Sequence, residues 1–134
     1  MRASGLESYK NVAYFEYDFA KHGGAISSIS VQGASIPAGS VIVGGMIHVK
    51  TAGVGVNGTM AIGTAAGSTT NILGATAVAS LTLNALLATV PVPQTANTWI
   101  RLTSNLTALL FTIATTAFTA GRVLVALDYY TTEE

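Results

Sequence analysis

The sequence contains no cysteine, and only 9% of its residues carry a charge. A chain without cysteine can form neither disulfides nor thiolate metal sites, and it offers no thiol for catalysis. Soluble domains usually carry about a quarter charged residues. Because six basic and six acidic residues cancel, nothing in the overall charge favours nucleic acid or an anionic membrane surface as a partner.

Acidic residues are missing from most of the chain. None occurs between Asp18 and Asp128, whereas residues 1–21 hold half of all the charged residues. Disordered chains are polar and charged, but half of this chain is apolar. We therefore predict a folded domain whose surface is covered mainly by Thr, Ser, Ala and Gly. Such a surface favours association with copies of itself or with a larger assembly.

A membrane span is not predicted. The best candidate is the uncharged segment 72–90, which is long enough to cross a bilayer. However, small apolar and polar residues alternate between Thr76 and Ala85, which is the period of a strand. The N-terminal segment lacks the apolar run of a secretory signal. We expect no membrane partner.

The remaining pattern predicts an all-β fold in a single domain of 134 residues. Apolar and polar residues alternate in about eight short segments, and no segment has a helical period. This pattern is typical of a β-sandwich, and we predict a jelly-roll-like one. The predicted strands are 9–20, 25–32, 41–49, 59–64, 76–85, 98–103, 108–115 and 122–130.

Residues 36–64 are predicted to form a central β-hairpin. Its first strand leaves a loop containing Pro37 and Gly39, and its second strand begins after Asn57-Gly58, two residues that tolerate positive φ. The pair Gly44-Gly45 inside the first strand predicts a bulge or a close approach by another backbone.

Residues 1–24 are predicted to form an extended N-terminal arm with the first strand, and residues 25–134 to form the sandwich body. The segment 9–20 holds half of the ten aromatic residues of the chain. Because aromatic anchors carry much of the binding energy at protein interfaces and ion pairs add specificity, we predict that this segment contacts a partner. The predicted contact residues are Tyr9, Tyr14, Phe15, Glu16, Tyr17, Asp18 and Phe19.

No motif predicts catalysis or a cofactor. Residues 53–58 match G-x-G-x-x-G, but the dinucleotide site needs a following helix and an acidic residue about twenty positions later, and neither is predicted. Asp18 and His22 would face each other on a helix, but they lie at the end of a predicted strand, which disfavours a metal pair. No nucleophile elbow occurs. We therefore predict no enzyme activity and no catalytic, cofactor or metal site.

Several short stretches resemble small virion structural proteins of tailed bacteriophages, a group that includes capsid decoration (cement) and head-associated proteins. The stretches are IPAGSVI at 36–42, MIHVKTA at 46–52, MAIGTAA at 60–66, FTAGRVLV at 118–125 and DYY at 128–130. The resemblance implies a sandwich or jelly roll without enzymatic activity, often trimeric, on the outside of the head. The chain differs at 67–70, where GSTT replaces the acidic residues that often follow.

The resemblance implies a protein that binds and stabilises the outer surface of a capsid. Its partners would be the major capsid protein and two further copies in a homotrimer, with no nucleic acid. It would be made in the host cytoplasm and located on the exterior of the virion. Two alternatives remain open: a tail, neck or fibre-base component, and a carbohydrate-binding adhesion module in which Trp99, Gln94 and Asn97 come closest to a glycan site.

Overall fold

The computed structural model describes residues 11–131, so Tyr9 and the rest of segment 1–10 lie outside the described residues, as do residues 132–134. The described chain forms nine strands, one four-residue helix and two 3-10 turns, at Val78–Ser80 and Ala96–Thr98. The strands are β1 (Asn11–Asp18), β2 (Ser27–Ile36), β3 (Val41–Val54), β4 (Thr59–Gly63), β5 (Leu73–Ala77), β6 (Leu86–Ala88), β7 (Ile100–Arg101), β8 (Leu106–Ala114) and β9 (Ala120–Tyr130), and helix α1 spans Phe19–His22.

The strands pair from the two ends of the chain inwards. β1 pairs with β9, β2 with β8, β3 with β6 and β4 with β5, always antiparallel. Further pairing of β3 with β9 and of β4 with β8 gives two four-stranded sheets, β1-β9-β3-β6 and β5-β4-β8-β2. The short strand β7 adds to β3. This arrangement is a jelly roll, and the predicted all-β fold class is confirmed.

The two sheets meet where β1 lies beside β2. A single pair, Phe15 opposite Gly33, connects these strands, so the eight principal strands form one curled antiparallel sheet. A Cβ atom at Gly33 would lie 2.6 Å from the carbonyl oxygen of Tyr14 and would also overlap the ring of Phe15. Glycine therefore allows the strand backbones to approach at this corner.

The core lies between the inner faces of the two sheets. Alternate residues of each long strand are buried there, as the strand period requires. The first sheet contributes Ala13, Phe15, Tyr17, Ile47, Val49, Val123, Val125 and Leu127, and the second contributes Val31, Met60, Ile62, Leu109, Phe111 and Ile113. The rings of Tyr17 and Phe111 stack with their centroids 5.6 Å apart and join the two sets.

The predicted central hairpin is wrong. β3 pairs with β6, β7 and β9, whereas β4 pairs with β5 and β8. Asn57 does have the positive φ that the turn signal predicted, at 59°. However, residues 55–58 carry the chain from one sheet to the other, because a turn signal describes local backbone and not the pairing of the strands that flank it.

The glycine pair in β3 behaves as predicted, but the strands predicted at 76–85 and 98–103 are shorter than expected, and the second spans only Ile100–Arg101. The register of β3 against β9 shifts between Ile42 and Gly44, which is a bulge or irregularity. The strand predicted at 76–85 ends at Ala77, where the 3-10 turn begins. The backbone N–H of Gly53 in β3 then donates to the carbonyl of Leu81 at 2.9 Å, so the following residues approach the first sheet instead of extending β5.

The described part of the predicted N-terminal arm belongs to the body of the fold. Every residue of β1 lies opposite a residue of β9, and β2 flanks β1 on the other side. The partner-contact role assigned to residues 1–24 stays a prediction. None of the described helices is long and apolar enough to cross a membrane.

Candidate partner-binding face

The strand period sorts the predicted contact residues of β1 into two groups. Tyr14 is 56% exposed, whereas Phe15 is 1% and Tyr17 0% exposed. Glu16 and Asp18 share the outward side with Tyr14 and are half-buried. The side chains of Phe15 and Tyr17 are therefore part of the core and are not available to a partner of the folded chain.

The two ends of the predicted contact segment differ from its middle. Phe19 begins α1 and packs, partly buried, against the core. Tyr9 lies outside the described residues. The role of segment 9–20 in contacting a partner stays a prediction. On β1, only the outward side chains could make such contacts.

Strands β9, β3 and β6 extend the outward side of β1 into one surface, here called the charged face. Its members are Val12, Tyr14, Glu16, Asp18, Met46, His48, Lys50, Leu86, Ala88, Arg122, Leu124, Ala126 and Asp128. Residues 11–131 contain seven charged residues, and five of them lie on this face. The charges of the N-terminal segment are thus joined in space by charges from the middle and end of the chain.

An apolar band crosses the charged face from β1 to β6. Tyr14 lies opposite Ala126, Ala126 opposite Met46, and Met46 opposite Ala88. Met46 is 46% exposed, and Leu86, one row away, is 64% exposed. Exposed apolar side chains that form a contiguous patch mark interaction surfaces on soluble proteins.

An ion cluster lies beside the band. The Glu16 carboxylate accepts hydrogen bonds from Lys50 Nζ and Arg122 Nε, both at 3.1 Å, and from Arg122 Nη2 at 3.3 Å. Burial raises the pKa of Glu16, but the hydrogen bonds and charges of Lys50 and Arg122 outweigh this effect and hold the pKa below its ordinary value. The carboxylate connects β1 to β3 and β9, which fixes the charges in place before any partner binds.

The other candidate chemistry of the N-terminal segment has a structural explanation. Asp18 Oδ1 accepts the N–H of Ala20 at 3.0 Å and caps α1. His22 Nδ1 lies 3.1 Å from the backbone nitrogen of Asp18, and its ring stacks on Tyr17. Burial, followed by the charge of Asp18, raises the pKa of Tyr17 to about 12. No group of three His, Cys, Asp or Glu side chains that could hold a metal occurs within residues 11–131.

The G-x-G-x-x-G stretch at 53–58 lies at the end of β3 and in the crossing to β4. No helix follows it, so the arrangement required for dinucleotide binding is missing from this described segment. The structure places these glycines at a turn between sheets.

The outer face of the other sheet has a different composition. This neutral face presents Ser28, Ser30, Gln32, Thr59, Ala75, Ala77, Ala108, Leu110, Thr112 and Ala114. The hydroxyls of Ser28 and Thr112 lie 2.9 Å apart across two strands. No charged residue occurs in the four strands of this sheet.

Sequence reasoning missed the members of the charged face on β3, β6 and β9. Alternation with Ile47 and Val49 could have placed Met46 and His48 on the outward side of a strand. It could not show that β9 and β3 lie beside β1, because these pairs connect distant parts of the chain. At the suggested glycan site, the Trp99 indole N–H donates to the carbonyl of Val92 at 2.7 Å and thus serves a local turn.

No protein-family model and no curated protein matches the chain. Among solved structures, a chain of the "Cyanophage Pam1 capsid asymmetric unit" is similar, with a TM-score of 0.65 and 23% sequence identity. The match covers 98% of this chain and 89% of that chain. The two chains therefore share a fold across almost their whole length.

Proposed function

We propose that this chain is a non-enzymatic structural protein of a phage virion that binds the outer surface of the capsid and stabilises it, as a decoration or cement protein. The observation that carries the proposal is the similarity, over 98% of the chain, to a chain of a phage capsid asymmetric unit. The resemblance of several short stretches to tailed-phage virion proteins is consistent with the same role.

Stabilisation would follow from mass action. A protein that binds the assembled shell and not its separated subunits lowers the free energy of the shell by RT ln(1 + [L]/Kd) at each site, or about 2.7 kcal/mol when the free protein is at 100 times Kd. Opening the shell then requires release of the bound protein as well as separation of the capsid subunits.

The charged face is the surface we assign to the major capsid protein. It offers an exposed aromatic anchor, Tyr14, and an apolar band, which are features of interface hot spots. The ion cluster beside them would add specificity for a partner of complementary charge. In this proposal Tyr14, Glu16 and Asp18 make direct contacts, whereas Phe15 and Tyr17 support them from the core.

Contacts between copies in a homotrimer would use the uncharged remainder of the sandwich. A surface of Ala, Ser and Thr carries no ionic group to desolvate, which lowers the free-energy cost of burying it. The neutral face is such a surface, since its four strands contain no charged residue.

The proposal is tested by adding the purified protein to purified heads that lack it. We expect saturable co-sedimentation with the heads and a higher temperature of DNA release. Binding to purified tails or necks, with none to heads, would instead favour the tail, neck or fibre-base alternative.

A matched pair of variants tests the assigned face. Tyr14→Ala should lower head affinity at least tenfold without lowering the unfolding midpoint of the free protein, whereas Ser30→Ala on the neutral face should leave head affinity unchanged. Phe15 and Tyr17 are unsuitable for this test, since truncating a buried ring destabilises the fold. Equal head affinity for Tyr14→Ala and the unmodified chain would contradict the assignment of the charged face to the major capsid protein.

A further inference from the structure

The two methionines of the described residues have opposite environments. Met46 in β3 is 46% exposed, whereas Met60 in β4 is 0% exposed and belongs to the core. The thioether of methionine is oxidised to the sulfoxide, and the oxidant must first reach the sulfur atom. The fold therefore leaves one thioether open to solvent and shields the other.

Small side chains flank Met46 within the sheet. Ala126 of β9 lies opposite it on one side and Ala88 of β6 on the other. Each alanine side chain ends at its Cβ atom, so neither reaches far enough to cover the Met46 thioether. Met60, in contrast, lies opposite Ile113 and is buried with it between the two sheets. Met46 is therefore the long side chain in the middle of the apolar band, and it is accessible in the free chain.

Hydrogen peroxide oxidises an accessible thioether without a cofactor. A lone pair of Met46 Sδ attacks one peroxide oxygen, so that an S–O bond forms while the O–O bond breaks. The proton on the attacked oxygen passes to the leaving hydroxide, and the products are methionine sulfoxide and water. The sulfur loses two electrons, and the peroxide gains them. The reaction replaces a flexible apolar side chain by a polar one.

A sulfoxide at position 46 would place a polar oxygen in the middle of the apolar band. Ala126 and Ala88 have no side-chain hydrogen-bond donor to offer it. The next outward side chain on β3, His48, has its Nε2 atom 3.4 Å from Asn84 Oδ1 and is directed towards that residue. Burying the sulfoxide oxygen against an apolar partner surface without a hydrogen bond costs free energy. Oxidation should therefore weaken binding through this face while leaving the core unchanged.

We propose that Met46 is a peroxide-sensitive site, and that its oxidation to the sulfoxide weakens docking of the charged face. The effect on docking rests on the proposed function, which places this face against the capsid. Once the chain is bound, the capsid would cover Met46, so the oxidation acts on the free protein. Methionine sulfoxide reductases reduce the sulfoxide back to the thioether, which makes the loss of docking reversible.

The sensitivity of the site is tested on the free full chain. After exposure to hydrogen peroxide, mass analysis of peptides measures the sulfoxide at each methionine, with Met1, which lies outside the described residues, scored separately. We expect Met46 to be oxidised about tenfold faster than Met60 in the folded chain. In the urea-unfolded chain the two rates should be equal, because only the fold shields Met60. Equal rates in the folded chain would overturn the proposal.

The effect on docking is tested with purified heads. Oxidised protein should bind heads about tenfold more weakly, as expected for a buried polar group without a partner, and its unfolding midpoint should not change. Treatment with methionine sulfoxide reductases should restore the affinity. Met46→Leu keeps an apolar side chain of similar volume but has no sulfur at this position, so its head affinity should resist peroxide.

Two results would overturn the effect on docking. One is unchanged head affinity of protein that carries the sulfoxide at Met46, and the other is an equal loss of affinity in peroxide-treated Met46→Leu. Failure of the unoxidised chain to bind heads would instead contradict the capsid role. The oxidation rates of the free chain do not depend on that role.

Discussion

The two sheets of this jelly roll have similar inner faces and different outer faces. Both inner faces are rows of buried aliphatic and aromatic side chains, joined by the stacked rings of Tyr17 and Phe111. The charged face carries five of the seven charged residues described, whereas the strands of the neutral face carry none. Since either composition is compatible with the fold, the proposal assigns the two surfaces to different neighbours.

The largest expected effect tests whether the inner faces of the two sheets contribute equally to the stability of the core. Phe15→Ala in the first sheet and Phe111→Ala in the second should each lower the free energy of unfolding by about 3–5 kcal/mol, because each removes a fully buried ring. Chemical denaturation followed by circular dichroism measures both, with Tyr14→Ala as the exposed control. A loss below about 1 kcal/mol for either buried ring would show that the two inner faces are not equivalent parts of one core.

The next effect tests the contrast of the outer faces. Met46→Lys places a charge in the middle of the apolar band and should weaken head binding roughly thirtyfold, as expected for a central interface residue. Ser30→Lys places the same charge on the neutral face, which the proposal assigns to contacts between copies, and should weaken head binding less than Met46→Lys does. Co-sedimentation with heads over a range of protein concentrations measures both affinities. If Ser30→Lys weakened head binding more than Met46→Lys, the neutral face and not the charged face would be the one that binds the capsid.

A smaller effect tests the corner that joins the sheets. Gly33→Ala should lower the free energy of unfolding by about 1–3 kcal/mol, since the added methyl overlaps the backbone of Tyr14 and the ring of Phe15. Gly67→Ala is the matched control, because a Cβ there has no atom within 4 Å. Thermal unfolding of the two variants gives the comparison, and equal midpoints would mean that the corner relaxes without cost.

The smallest effect concerns the ion cluster. Glu16→Gln should lower the free energy of unfolding by about 0.2–1 kcal/mol at neutral pH, as for other partly exposed ion pairs. The pKa of Glu16 is lower in the folded state than its ordinary value of 4.5. Its contribution is therefore present above pH 4.5 and is lost as the pH falls through the folded-state pKa.

Denaturation of Glu16→Gln and the unmodified chain at several pH values measures this contribution. The two unfolding curves should converge in acid. Ser28→Ala, which removes a hydroxyl pair from the neutral face, should give a difference that does not change with pH. A Glu16 contribution that persisted after protonation would not be electrostatic.

The strands could be predicted from the sequence far better than their partners. Alternation placed β8 and β9 within two residues of their observed bounds. Pairing could not be predicted in the same way, since Ile47 lies opposite Val125, which is remote in the chain. The local signal at Asn57-Gly58 therefore suggested a hairpin where the chain crosses between sheets.

The candidate contact residues could be predicted only as a segment. Aromatic rings occur on both sides of β1, so counting them grouped the buried Phe15 and Tyr17 with the exposed Tyr14. Only the alternation of charges separates the two sides. The apolar band could not be predicted from sequence at all, because its members come from four strands and meet only when β9 and β3 add to β1.

The most direct test of the central claim is a cryo-electron microscopy reconstruction of the intact virion that carries this protein. We predict density for the jelly roll on the outer surface of the head, with Tyr14 and Met46 of the charged face in contact with the major capsid protein. Density in the tail or neck, or a subunit on the head with its neutral face against the shell, would contradict the account.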